Sequence, residues 1–245
     1  MGAVQVDIAI LIPVFQPDRR LTGLVSQLVE LGFGAIIIVD DGSGPAYRSI
    51  FKEAAAHPSV HLLRYEENMG KGRALKTGLA YFLDRFPGYR GVVTADGDGQ
   101  HGPADILRAA QQIRSGQGLL LGSRKLEGRS PLRSRVGNFV TRYAFATLTG
   151  RRLADTQCGL RGIPARLIPS LLFLEGERYD FEMNVLVQAA KSCGIVEFPI
   201  ETIYFDGNHG SHFRPVQDSM KIYSTLLRCV ISPPMAASVG RIRMS

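Results

Sequence analysis

The stretch "VVTADGDGQHGP", Val92 to Pro103, decides how this chain folds. An apolar, β-prone run from Gly91 breaks on Asp96, Gly97, Asp98 and Gly99. Pro103, suited to a first helical turn, then opens a helical pattern that runs to Ser115. Strand, polar turn, helix is the unit, and it recurs outward in both directions. "IAILIPV" (Ile8 to Val14) precedes a helical spacing of Leu21, Leu24, Val25, Leu28 and Leu31. "AIIIVD" (Ala35 to Asp40) precedes a helix expected over Ala46 to Ala56. "VHLLRY" (Val60 to Tyr65) leads into "KGRALKTGLAYFL", and "GLLLGS" (Gly118 to Ser123) makes a fifth strand. Continuous apolar strands alternating with helices predict an α/β fold, a mainly parallel sheet covered by helices on both faces.

From Arg124 the rhythm changes. A basic loop leads to a helix expected near Val136 to Leu148, a Gly-rich turn, a helix near Phe181 to Cys193, and "IVEFPIETIYF". With no internal repeat, a single domain over 1–215 is expected, with a seam near 124. A nucleotide-binding half (about 1–123) would precede an acceptor half (124–215), and an amphipathic helix with a basic tail would close the chain over 216–245.

The chain has 245 residues, 45% hydrophobic and 21% charged, long enough to bury a substantial core. Its net charge of +7 points to an anionic partner: a phosphorylated substrate, a nucleic acid or an anionic membrane face. The basic residues are scattered or tied to strand ends, without an aromatic stripe or helix-turn-helix pattern, so nucleic acid is not expected. Cys158, Cys193 and Cys229 are odd in number and lack metal-ligand spacing, which reads as three reduced thiols. The first apolar segment reads as a strand rather than a leader, and no apolar run approaches the ~20 residues of a membrane span. A cytoplasmic protein, peripheral at most on the inner face of the cell membrane, is expected.

In open parallel sheets ligands bind beyond the carboxyl ends of the strands. Here those ends carry "PVFQPD", "VDDGSG", "YEENMGKG", "ADGDGQH" and "LGSRK". Asp96, Asp98 and Gln100 offer hard oxygen donors, which suit Mg²⁺ or Mn²⁺ together with phosphate oxygens. The plainer alternative is an Asp-Gly turn. Asp40 and Asp41 could accept hydrogen bonds from a nucleobase or ribose, or could cap the following helix. "NMGKG" is only loosely a phosphate loop, and the glycine fingerprint of dinucleotide-binding folds is missing after the first strand. A sugar nucleotidyltransferase would carry a Gly-rich basic signature there, so that class is remote.

With these motifs in place, the chain resembles the family 2 glycosyltransferases of GT-A fold, within the dolichol-phosphate mannose synthase and bacterial polyprenyl-phosphate branch. The resemblance runs from about Ile8 to Tyr223 on "IPVF", "VDDGSG", "NMGKGRAL", "DGDGQH.P", "GSR", "RSRVGN", "DTQCGLRG", "YDFEMNVLVQA" and "GSHFRP". It implies transfer of a sugar, with inversion, from a nucleotide diphosphate sugar (UDP- or GDP-linked). By position, Pro13, Phe15, Asp40 and Asp41 would hold the nucleoside, and Lys71 and Arg73 would lie near the nucleotide. Asp96, Asp98 and Gln100 would hold the metal, with Asp96 also near the donor. The family often has Tyr-Asn-Glu where this chain has Phe15, Gln16 and Pro17, which leaves the base open.

The departing diphosphate needs positive charge. Arg124, Arg133 and Arg135 after the fifth strand, and His212 and Arg214 in "GNHGSHFRP", are the candidates, with Ser123 and Ser211 beside them as substrate contacts. Gly207 and Gly210 would hinge that second segment. A hydroxyl acceptor, on a cell-surface polysaccharide or glycolipid, would need a general base, for which Asp155 or Glu182 are the choices; a polyprenyl phosphate is already an anion. Val216, Met220, Tyr223, Leu226, Leu227 and Val230 fall near one helical face, followed by Arg241 and Arg243. That helix would pack on the sheet or lie on an anionic bilayer, and a separate membrane protein is a further expected partner.

Overall fold

The computed structural model describes residues 7–115, 118–124 and 132–201, the side chains of 114, 115 and 132–136 excepted. The segment expected as a C-terminal amphipathic helix, with Cys229, Arg241 and Arg243, lies outside the described residues.

Seven strands form one sheet: β1 (Ile8–Val14), β2 (Ile36–Asp40), β3 (Val60–Arg64), β4 (Gly91–Thr94), β5 (Leu119–Arg124), β6 (Arg161–Pro164) and β7 (Ile195–Ile200). The order across it is β3-β2-β1-β4-β6-β5-β7. All pairings are parallel except those of β6, which runs antiparallel to both β4 and β5. Every residue of β1, β2 and β4 is buried, as the unbroken apolar runs require of strands covered on both faces. The covering helices are α1 (Arg20–Glu30), α2 (Arg48–Ala54), α3 (Lys71–Arg85), α4 (Pro103–Ser115), α5 (Leu132–Thr149), the single turn α6 (Ile168–Leu171) and α7 (Tyr179–Ser192). On α1 the residues Leu21, Leu24, Val25 and Leu28 form the buried stripe.

Two local expectations are corrected. The Gly-rich segment expected as a turn contains β6, a four-residue strand holding both Gly162 and Pro164. Its own sequence has little strand signal, and its pairing with β4 and β5 supplies the missing order. The helix expected from Ala46 begins at Arg48, after a 3-10 turn over Pro45–Tyr47. No side chain caps either element, whose flanking residues are Gly44 and Tyr47, and Asp40 Oδ1 instead accepts the Ser43 N–H at 2.9 Å within the preceding turn.

This topology sets the position of the site. From β1 the chain builds outward to β2 and β3, then returns to place β4 on the other side of β1. The crevice between the carboxyl ends of β1 and β4 is therefore the topological switch point, where open α/β sheets take their ligands. Phe15 and Gln16 leave one side of it and Asp96 and Asp98 the other.

Candidate active site

Asp96 follows β4 with a side chain 31% exposed. Its loop is pinned by His101, whose Nδ1 accepts the Asp96 N–H at 3.1 Å. That bond requires a lone pair on Nδ1, so the ring proton sits on Nε2, which lies 3.9 Å from Asp96 Oδ2. Burial pushes His101 below its ordinary range, against the pull of both aspartates, so the imidazole is neutral. Gly159 leaves the room Asp96 needs, since a Cβ there would sit 2.4 Å from Asp96 Oδ2.

Lys71, the first residue of α3, reaches into the same space. Its Nζ lies 2.7 Å from Asp96 Oδ1, 3.0 Å from Glu182 Oε2 and 5.7 Å from the centre of the Tyr179 ring. Burial alone would depress the Lys71 ammonium, but the two carboxylates overcome it and hold it well above its usual range. Asp96 is shifted the other way. Burial would raise it, yet the Lys71 ammonium keeps it well below the usual carboxylate range. Asp98 differs: burial, and next the charge of Asp96, push its carboxyl up. Its Oδ1 accepts the Gln100 N–H at 3.0 Å. Asp98 thus adds a second carboxylate beside Asp96, and their hard oxygen donors suit a divalent cation. Among the described residues no three His, Cys, Asp or Glu side chains already stand in metal-holding geometry. A cation would therefore complete its shell from outside the carboxylates.

At the end of β5, Arg124 donates from Nε and Nη2 to Asp155, at 2.6 and 3.1 Å. Asp155 is fully buried, and its Oδ1 also accepts the Gln157 N–H at 3.0 Å. Burial works against the Arg124 charge and Asp155 more than offsets it. Asp155, expected as a catalytic or acceptor-orienting carboxylate, is thus paired with Arg124. The loop that carries it is tied to α5 through Asn138, which accepts the Thr156 N–H at 3.1 Å and donates to Ala154 O at 3.3 Å. Nearby Cys158 is fully buried and its thiol is pushed up to about 12, by burial first and then by Asp155. It is a packing residue.

The β2 end is occupied by its own loop. Asp40 Oδ2 accepts from Arg64 Nε at 2.9 Å, and Asp40 is 2% exposed. Asp41 accepts the N–H of Met69 at 2.8 Å and that of Gly70 at 3.0 Å, and Asn68 Nδ2 at 3.0 Å. Beside the nucleoside role expected of them, these two carboxylates have an internal one: Asp41 clamps the loop that leads into α3, and Asp40 ties Arg64 to the turn at Ser43. "NMGKG" is likewise explained by packing. Gly70 has φ +103°, and a Cβ on it would meet Glu177 O at 2.4 Å; on Gly72 it would meet Arg178 O at 2.7 Å. Arg73 faces outward, where its Nε pairs with Glu177 at 2.8 Å.

Pro13 lies buried in β1, and part-buried Phe15 follows that strand. Gln16 has φ +52°, the one non-glycine residue with positive φ among those described, and its N–H donates to Ser43 Oγ at 2.8 Å. Ser123 sits in β5 opposite Pro199. The side chains of Arg133 and Arg135, and all of Ser211, His212 and Arg214, lie outside the described residues.

One residue of the site has no counterpart in the sequence reading. Arg161, at the start of β6 and 3% exposed, donates from Nε to Cys158 O at 3.1 Å and from Nη1 to Glu182 O. Its Nη2 lies 3.7 Å from Glu182 Oε1. An arginine between glycines in an otherwise apolar segment, "CGLRG", was the available signal.

Residues 9–168 match the sequence pattern of "Glycosyl transferase family 2". The chain belongs to this family. It is 32% identical, over 80% of its length and 86% of the relative's, to the UDP-N-acetylglucosamine–dolichyl-phosphate N-acetylglucosaminyltransferase of Methanococcus voltae. It is 28% identical to the undecaprenyl-phosphate mannosyltransferase of Micrococcus luteus, over 78% of this chain and 81% of that one. In fold it is similar to glucosyl-3-phosphoglycerate synthase of Mycobacterium tuberculosis, crystallised with Mn²⁺, UDP and glucosyl-3-phosphoglycerate. The TM-score is 0.71 at 19% identity, covering 93% of this chain and 81% of the other. The expected GT-A architecture and the expected enzyme class both hold: this family 2 member is a glycosyltransferase. No helix among its described residues is long and apolar enough to cross a membrane.

Proposed function

We propose that this glycosyltransferase moves a sugar from a nucleotide diphosphate sugar to a polyprenyl phosphate, with inversion. The observation that carries the choice of acceptor is the state of the two candidate bases. Asp155 is fully buried against Arg124, and Glu182 is held between Lys71 and Arg161. A hydroxyl acceptor must lose a proton as it attacks, and both carboxylates are committed to cations. A phosphate monoester arrives already ionised. The activities of the polyprenyl-phosphate relatives support the same acceptor class.

In the proposed reaction an acceptor phosphate oxygen attacks the anomeric carbon from the face opposite the leaving group. The bond from that carbon to the diphosphate breaks, its electron pair stays on the nucleoside diphosphate, and the configuration inverts. The crevice between β1 and β4 would hold the donor, with Phe15 and Gln16 on the base side. Asp96 and Asp98, with Gln100, would hold a divalent cation, Mn²⁺ or Mg²⁺, which stabilises charge on the departing diphosphate. Arg124, oriented by Asp155, would face the same developing charge with its geometry fixed beforehand. The half of the chain up to residue 123 would bind the donor and the half from 124 the acceptor.

Liposomes containing undecaprenyl or dolichyl phosphate, incubated with the protein, Mn²⁺ and each of UDP-N-acetylglucosamine, UDP-glucose and GDP-mannose, test this reading. One donor is expected to yield a lipid-linked monosaccharide that is labile to mild acid. Transfer only to a saccharide hydroxyl, with the lipid phosphate untouched, would replace it.

A further inference from the structure

Lys71, Asp96, Glu182 and Arg161 form a chain of alternating charge from the open rim into the core. Side-chain exposure falls along it from Asp96 at 31% through Lys71 at 19% and Glu182 at 10% to Arg161 at 3%. Two cations and two anions balance without any ion from solution. Lys71 bridges the carboxylates at 2.7 and 3.0 Å, so it has a second partner at almost the same distance as the first. Glu182 is fixed at both ends of the residue, since Arg161 contacts its carboxylate and its backbone carbonyl. Asp96 is the outermost member and the one beside Asp98.

We propose that Lys71 is an exchangeable counter-ion of Asp96: it neutralises that carboxylate when no divalent cation is bound, and Glu182, anchored by Arg161, retains it when a cation takes Asp96 over. This rests on the reading of Asp96 and Asp98 as metal ligands. An incoming cation must displace an ammonium already in contact with Asp96, so the site binds the bare ion weakly. Glu182 makes the exchange feasible, because the displaced ammonium would otherwise be left buried and unpaired, which is strongly unfavourable. Glu182 and Arg161 are then positioning residues acting through Lys71.

Mn²⁺ binding without nucleotide, followed by the electron paramagnetic resonance of the free ion, tests the exchange, with thermal melting to verify folding. Lys71→Met is expected to tighten Mn²⁺ about tenfold and Glu182→Gln to weaken it by a similar factor, the scale of one partly desolvated ion pair. Lys71→Gln carries the same expectation should the Met variant fail to fold. General electrostatics would move both in these directions, so the double variant decides. Acting only through Lys71, Glu182→Gln has no effect in the Lys71→Met background; acting as a simple charge, it weakens Mn²⁺ there equally, and the exchange is wrong. If Asp98→Ala abolishes binding while neither single variant changes it, the metal reading stands and the exchange falls. If the wild-type protein binds no Mn²⁺, both fall.

Discussion

Two strand ends, on either side of β1, each present a pair of aspartates to the same rim, and their surroundings differ. At β2, Asp40 and Asp41 are 2% and 3% exposed, and their oxygens accept from Arg64, Ser43, Asn68, Met69 and Gly70. At β4, Asp96 is 31% exposed, and Asp98 sits beside it with its carboxyl pushed up by burial and by the Asp96 charge. The residue type is the same and so is the place in the topology. Burial and the neighbouring carboxylate raise Asp41 as they do Asp98, so the difference lies in exposure: the β2 pair is closed in by its own loop, whereas Asp96 stays partly open at the rim, where the proposed reaction would seat a cation.

The largest expected effect separates the two ends directly. Asp98→Ala should lower metal-dependent turnover by about a thousandfold, the scale of removing electrostatic stabilisation from a leaving group. It should leave the melting temperature unchanged or higher, because a like charge beside Asp96 is removed. A melting temperature that drops as sharply as activity would place Asp98 with the scaffold and erase the contrast.

Asp155→Ala comes next. It strands the Arg124 guanidinium, which is 19% exposed, and should cost about 3 kcal/mol of stability, as expected for a buried pair broken on one side. Arginine then loses its orientation, so turnover falls as well. Stability loss with full turnover would mean that Arg124 does not need Asp155 to face the donor. Asp41→Ala is smaller, about 2 kcal/mol, for the Met69 and Gly70 N–H groups left without their acceptor. Urea unfolding of both variants measures the order, and a reversal would mean that the β2 clamp matters more than the β5 pair.

The strands were legible because five of them are continuous apolar runs long enough to rise above local noise, and the site was legible because their carboxyl ends collect the polar residues. What escaped was set by contacts distant in sequence. β6 is a strand only because β4 and β5 flank it. The glycines of "NMGKG", only loosely a phosphate loop in sequence, gain their packing reason once Glu177 and Arg178, a hundred-odd positions away, are seen against them. The Arg124 partner of Asp155 was hidden because it comes from the end of β5, thirty-one positions away. Arg161 shows the same limit, since a buried arginine is uninformative until Glu182 is placed beside it. Local pattern reports where an element begins; which side chains meet is decided by topology.

The smallest effect lies outside the rim and serves as its control. His61, on β3, meets Tyr81 Oη at 3.1 Å through Nδ1, and its ring stacks edge-on to Phe86 at 5.2 Å. Burial, with Arg85 adding to it, pushes its pKa below the ordinary value. The folded state then binds fewer protons here than the unfolded chain. Stability from this site is fully present above the unfolded pKa and declines as pH falls through that value towards the folded one. His61→Gln should therefore flatten the loss of melting temperature between about pH 8 and about pH 5, with turnover at neutral pH unaffected. A wild-type slope that survives the substitution would assign the acid sensitivity to other groups, and a loss of turnover would mean that the β3 edge and the β4 rim are coupled through the sheet rather than independent.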